Sequence, residues 1–236
     1  MNKINLLKEL SRYAVFDVKI VSDILNKSRE YSKLVIYRLK QEKLIFEIER
    51  NKYTTKKEPL VIASNLVWPS YISCWSALRY YNLTEQLPET FFVITTRARK
   101  KRKINMENSK IIFIKVSGKY FFGYAKEILN DFEIFIATKE KALIDSALFK
   151  KISFSEIFDI IQNNKDELDF DLLINYLIKI KNKALIKRFG FLLDSLGINT
   201  LKLNKYIDYK YIPLDYAGLA KGKKNKKWRV IQNVNL

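Results

Sequence analysis

The sequence predicts an α+β fold, and three observations carry that prediction. A helix, a polar break, a second helix and a hairpin follow one another between residues 18 and 55. After Pro59, β-rich runs alternate with helical ones. From Ser153 to Leu196 the apolar residues keep a mostly helical period. With 236 residues, 48% of them hydrophobic, the chain can build a small domain joined to a larger one. The run Lys56-Lys57-Glu58-Pro59 marks the expected boundary, giving domains 1-57 and 58-236.

Asn2 to Tyr13 forms the first helix, with Ile4, Leu6, Leu7 and Leu10 read as one face. Val18 to Leu25 is a short second helix, and Asn26-Lys27-Ser28 breaks it. Ser28 can cap the helix Arg29 to Gln41 by accepting from an orphan N–H of the first turn. On that helix Ser32, Val35, Ile36 and Leu39 face the core, and Glu30, Lys33, Leu34 and Tyr37 lie opposite. Leu44 to Glu49 and Lys52 to Thr55 are β-rich runs, and Arg50-Asn51 is the tight turn between them, since Asn tolerates positive φ. This order is a winged helix-turn-helix, which lays its second helix in the major groove and flanks it with the hairpin. Arg29, Lys33 and Tyr37 are the residues expected to face base edges, with Glu30 an acceptor for cytosine N4. Lys27, Arg50, Asn51 and Lys52 are expected mainly at phosphates, and Ser28 is counted with them among the DNA-binding residues.

Beyond the boundary, Ser73 to Tyr81 reads as a helix, and Tyr71 to Leu78 as an aromatic-rich core segment at helical spacing. Thr90 to Thr96 is a continuous apolar strand of the buried kind. A basic loop follows, then strands at Lys110–Val116, Tyr120–Tyr124 and Glu133–Ala137. Thr138 opens a helix to Phe149. Asp166 to Asp171 reads as a helix start, its carboxylates placed at the positive end of the dipole. A basic strand around Trp228-Arg229-Val230-Ile231 closes the chain.

The formal charge is +19, from 44 Lys and Arg against 25 Asp and Glu. That sign suits a polyanionic partner, although an Ile-, Lys- and Asn-rich composition also produces a basic, soluble surface. Residues 1–57 hold 14 basic and 7 acidic residues, a net of +7. Two later clusters stand out. One is Arg97, Arg99, Lys100, Lys101, Arg102 and Lys103. The other is Lys221 with Lys223, Lys224, Lys226, Lys227 and Arg229. The first can be a solvated loop, a second nucleic-acid contact or a partner-binding patch, and both are candidates for an antitoxin or nucleic-acid surface.

Histidine is absent, and Cys74 is the single cysteine. The commonest general base is therefore missing, and no zinc site can be built from thiols. The glycines are isolated and form no phosphate loop. Asp145, inside an apolar helix, reads as a buried polar anchor in preference to a catalytic acid. The sequence thus points to a non-enzymatic protein without metal or cofactor. A lone thiol without a secretion signal, and no apolar run of about 18 residues, point to a cytoplasmic protein without a membrane partner.

Several segments in this order resemble the AbiEi antitoxin family, the regulatory partners of type IV toxin–antitoxin and abortive-infection systems. They are the N-terminal helices ending in Leu44-Ile45 and Lys52-Tyr53; Tyr71-Ile72-Ser73 with Ser76-Ala77-Leu78-Arg79-Tyr80-Tyr81-Asn82-Leu83-Thr84-Glu85-Gln86-Leu87-Pro88; and Phe92-Val93-Ile94-Thr95-Thr96 followed by basic residues. Further along come Phe121-Phe122-Gly123, Ala137-Thr138-Lys139-Glu140-Lys141-Ala142-Leu143-Ile144-Asp145 and Gly222-Lys223-Lys224-Asn225-Lys226-Lys227-Trp228-Arg229-Val230. The resemblance implies a mixed α/β antitoxin domain with a helical C-terminal part behind the winged helix. It also implies an autorepressor that binds inverted repeats in double-stranded DNA. The second domain would counteract a cognate nucleotidyltransferase-like toxin, with or without a stable complex. The alternatives are a plain winged-helix regulator with a ligand-binding or dimerisation domain, and a nuclease or transferase using Asp145.

Overall fold

The computed structural model describes residues 1–234 and is a mixed α+β structure. In chain order its first elements are α1 (Lys3–Leu10), α2 (Val18–Leu25), α3 (Arg29–Gln41), β1 (Phe46–Glu49), β2 (Lys52–Thr54), α4 (Pro59–Asn65) and β3 (Ser70–Ser73). Then follow α5 (Trp75–Tyr80), β4 (Thr90–Thr95), β5 (Lys103–Asn105), β6 (Lys110–Lys115), β7 (Tyr124–Leu129) and β8 (Phe132–Ala137). The remainder is α6 (Lys139–Leu148), α7 (Phe154–Asn163), α8 (Phe170–Ile180), α9 (Lys183–Ser195), β9 (Ile212–Pro213), β10 (Lys223–Asn225) and β11 (Val230–Gln232). The chain forms two compact units. The first comprises residues 1–72, 89–115 and 126–136, and the second 73–88, 116–125 and the chain from 137 on. The expected boundary after Lys57 therefore falls inside the first unit.

In the first unit the N-terminal helices and the hairpin share a core of Leu6, Leu10, Phe16, Val18, Val21, Ile36, Leu39, Ile45 and Tyr53. Ile4, expected on the buried face of α1, is 75% exposed. Leu6 and Leu10 lie one turn apart, whereas Ile4 is about 200° around the helix from Leu6. Asp17 caps α2 by accepting from the Ile20 N–H at 3.0 Å, and Asn26 ends it at φ 50°. Ser28 then caps α3, accepting from the Tyr31 N–H at 3.3 Å. β1 and β2 pair antiparallel around Asn51 at φ 59°. A third segment joins them: Phe16 and Tyr53 exchange both backbone hydrogen bonds, at 2.9 and 2.8 Å. The Thr54 hydroxyl donates to the Ala14 carbonyl at 2.7 Å and fixes that crossing.

The same unit carries a six-stranded sheet in the order β5-β6-β4-β3-β8-β7. β4 and β6 run parallel in register from Thr90↔Lys110 to Thr95↔Lys115, and β5 lies antiparallel on the outer edge of β6. Phe91 to Thr95 are all buried, as a strand covered on both faces requires. Three sequence expectations need correction here. Pro59 does not merely end a strand; it sits at the first position of α4, where its missing N–H costs nothing, with Glu58 as cap. Residues 70–73 are a strand, so the helix predicted at Ser73 begins at Trp75. The strand expected at Tyr120–Tyr124 lies later, at Tyr124–Leu129, because Gly118–Tyr120 is a 3-10 turn. β7 meets β8 through Asn130 and Asp131, both at positive φ (49° and 66°), the two-residue turn that matches strand twist.

The second unit is organised around α6, whose residues Glu140 to Ala147 are all buried and which packs against α5, α7, α8 and α9. A helix buried on every side must satisfy its polar groups internally. Lys141 pairs with Asp145, the Ser73 hydroxyl donates to Asp145 at 2.9 Å, and Glu140 accepts from the Asp169 N–H at 3.1 Å. The expected anchoring role of Asp145 matches this burial. Asp169 caps α8, in keeping with the predicted helix start. A small sheet of order β10-β11-β9 closes the unit. Trp228 is fully buried against Gly190, where a Cβ would come within 2.0 Å of the indole ring.

Candidate nucleic-acid interface

α3 presents Arg29, Glu30, Lys33, Leu34 and Tyr37 to solvent while Ser32, Ile36 and Leu39 are buried, so its two faces divide as the 3.6-residue period predicts. Tyr37 is 59% exposed. The first turn of α3 and the hairpin border a cleft of about 520 Å³ lined by Lys19, Arg29, Lys33, Glu47, Arg50 and Asn51, among others. Residues separated by up to 36 positions, Asp17 to Tyr53, thus converge on one concave surface. Lys27 and Ser28, both exposed, directly precede α3.

The cations of this surface are not neutralised from within. Among the described residues, Lys27, Arg29, Lys33, Arg50 and Lys52 form no ion pair, whereas Lys3 pairs with Glu42 at 2.6 Å, Arg12 with Glu9 at 2.8 Å, and Lys40 with Glu47. Glu30 is the acid on the exposed face. Hydrogen bonds from its own backbone N–H and from the Ser28 hydroxyl hold its carboxyl below the usual carboxylate range, so it stays ionised and can only accept. Asn51 has a structural duty that the sequence does not disclose. Its Oδ1 accepts from the Val18 N–H at 3.1 Å, tying the hairpin turn to the first residue of α2 and leaving its amide NH₂ to donate outward.

The basic segment 97–103 lies in the same compact unit. Arg97, Lys100, Lys101, Arg102 and Lys103 are exposed, and Lys103 opens β5 instead of ending a loop. Arg99 is held inside the structure: its guanidinium pairs with Glu49 of β1 at 2.5 Å and stacks over Phe113 at 4.0 Å. In the second unit Lys223, Lys224 and Lys226 are exposed. Lys227 pairs with Asp194 at 2.5 Å, and Arg229, at φ 54°, donates to the Tyr211 hydroxyl at 3.2 Å. Arg99, Lys227 and Arg229 are therefore partnered within the chain, a difference invisible in a count of basic residues.

Asp145 and Cys74 are both fully buried. Cys74 turns β3 into α5 at φ 58° and ψ −141°, and burial, with the nearby Asp145 carboxylate, pushes its thiol well up. Neither group can meet a substrate in this arrangement. Among the described residues no group of His, Cys, Asp and Glu has the grouping of a metal site, and no helix is long and apolar enough to cross a membrane. No family model matches the chain, and no curated protein matches it.

Proposed function

We propose that this protein is a DNA-binding autorepressor and antitoxin of a type IV toxin–antitoxin operon, acting in the cytoplasm. Its N-terminal helices and hairpin would work as a winged helix-turn-helix on inverted repeats in double-stranded DNA. The observation that supports the DNA half is a cleft beside a well-capped α3 whose lining cations Lys19, Arg29, Lys33 and Arg50 form no ion pair among the described residues, with Asp17 and Glu47 as its acids. In this reading α3 enters the major groove, where Arg29, Lys33 and Tyr37 meet base edges and Glu30 accepts from cytosine N4. Lys27, Arg50 and Lys52 bind phosphates and set the register without reading sequence. Two copies filling the half-sites would account for a palindromic operator without a stable dimer in solution.

The antitoxin half rests on the resemblance of residues 71–88, 121–123, 137–145 and 222–230 to the AbiEi family. Buried Asp145 and Lys141, each already partnered, agree with a scaffold role for that part of the chain. The nucleotidyltransferase-like toxin would be counteracted with or without a lasting complex.

One full-length variant separates the two halves. Arg29→Ala/Lys33→Ala is expected to lose operator binding yet still protect cells that co-express the toxin encoded beside it. Growth arrest with this variant, or with the wild type, counts against the antitoxin half. Protection by neither protein, together with intact operator binding, points to the plain regulator.

A further inference from the structure

The parallel strands β4 and β6 end side by side at Thr95 and Lys115. Beyond these ends the sheet leaves a hollow of about 120 Å³, lined by Thr95, Arg97, Arg99, Arg102, Phe113 and Lys115, with Ala98 at its edge. The carboxyl ends of parallel strands are where open α/β sheets take up ligands. Four of the lining side chains are cationic and none is acidic. Glu49 neutralises Arg99 alone; among the described residues Arg97, Arg102 and Lys115 form no ion pair. Three unneutralised cations around one concavity repel each other, and a bound anion relieves that repulsion.

The hollow is also held in shape. The Thr95 hydroxyl donates to the Pro69 carbonyl at 2.7 Å and accepts from the Arg97 N–H at 3.1 Å, fixing the turn that carries Arg97. The Phe113 N–H donates to the Arg102 carbonyl at 2.8 Å and holds Arg102 against β6. Arg99 is clamped between Glu49 and the Phe113 ring. Positions set before binding reduce the ordering cost of recognition. Guanidinium groups, with planar forked donors, match tetrahedral oxyanions better than other cations do.

We infer that this hollow is an oxyanion site that takes one phosphate group. It has room for the phosphate and not for an attached base, so a nucleic acid or nucleotide would leave its nucleoside outside. The phosphate can be a terminal monoester or an internal diester, and the site's chemistry is the same for both. The inference stands apart from operator reading by α3.

The test uses the full chain. Thermal melts are taken across an inorganic phosphate series, against sodium chloride at matched ionic strength. Phosphate is expected to raise the melting temperature in a saturable way that chloride does not. In Arg102→Ala/Lys115→Ala, whose side chains are exposed, the half-saturating phosphate concentration is expected to rise about tenfold or more. Lys101→Ala, a cation of the same segment outside the hollow, should keep the wild-type response. A trinucleotide with a 5′-phosphate is then compared with its 5′-hydroxyl form. Tighter binding of the phosphorylated form, lost in the double variant, assigns a terminal phosphate; equal binding of both, likewise lost, assigns a backbone phosphate. A phosphate response equal to that of chloride, unchanged in Arg102→Ala/Lys115→Ala, or equally lost in Lys101→Ala, overturns the site.

Discussion

Asp145→Asn probes whether the buried polar cluster of α6 is a scaffold. Asp145 accepts from the Ser73 hydroxyl at 2.9 Å and pairs with Lys141, and all three side chains are at or near zero exposure. The amide keeps the size of the carboxylate and removes its charge, so the ion pair with Lys141 is lost. Breaking one side of a buried ion pair costs about 3–5 kcal/mol, because the remaining charge is left uncompensated. Replacing both partners by apolar residues, Lys141→Met/Asp145→Leu, removes both desolvation penalties and can be neutral or better by about 1–4 kcal/mol. Against that, the Ser73 hydroxyl loses its acceptor at about 1–3 kcal/mol. The double variant should therefore lie within about 3 kcal/mol of wild type, at or above the stability of Asp145→Asn. Urea titrations of the full chains, followed by far-UV circular dichroism and tryptophan fluorescence, measure these differences if the slopes agree. A double variant as unstable as the sum of Lys141→Met and Asp145→Leu measured singly would refute the reasoning. So would an Asp145→Asn variant of wild-type stability.

Other perturbations follow from the same geometry. Gly190→Ala puts a Cβ 2.0 Å from the Trp228 ring and should cost about 3 kcal/mol by displacing the indole, a loss read in the same urea titrations; wild-type stability would contradict that packing. Asp194 is penalised by its burial, but hydrogen bonds from Lys227 and Trp228 outweigh that and hold its carboxyl below the usual range. A depressed folded-state value gives stability that is present above the ordinary carboxylate range and lost as pH falls through the depressed one. The gap between wild type and Asp194→Asn should thus narrow as pH drops below about 4 in chemical melts, and a constant gap would refute it. Lys52→Ala should weaken binding to all duplexes alike and lower the salt slope of log K by about one unit.

How far the sequence reaches is clear from particular residues. α2, α3 and the hairpin are legible because local signals mark their ends: Asn26, Ser28 and Asn51 act through their nearest backbone, whereas the Asp17 cap is found only in the structure. The Phe16–Tyr53 bridge is not legible, since one bridging residue has no period. β7 was hidden because Lys126 and Glu127 in a partly exposed strand mask alternation, and α4 because Pro was read as a stop and not as a start. The exposed face of α3 followed from periodicity. What charge counting missed was which cations are already partnered: Arg99 finds Glu49 fifty positions away, and Lys227 finds Asp194 at thirty-three. The hollow at the ends of β4 and β6 depends on strand order, which only the folded chain reveals.

The central claim is that α3 reads DNA. It is tested most directly by a mobility-shift titration of wild type and Arg29→Ala/Lys33→Ala on the duplex upstream of the gene, at one fixed salt concentration. Each lost base contact should cost about 1–3 kcal/mol, so the variant's apparent Kd should rise by about two orders of magnitude, and its preference over a scrambled duplex should collapse. Unchanged affinity and preference in a folded variant would mean that this helix is not the reader.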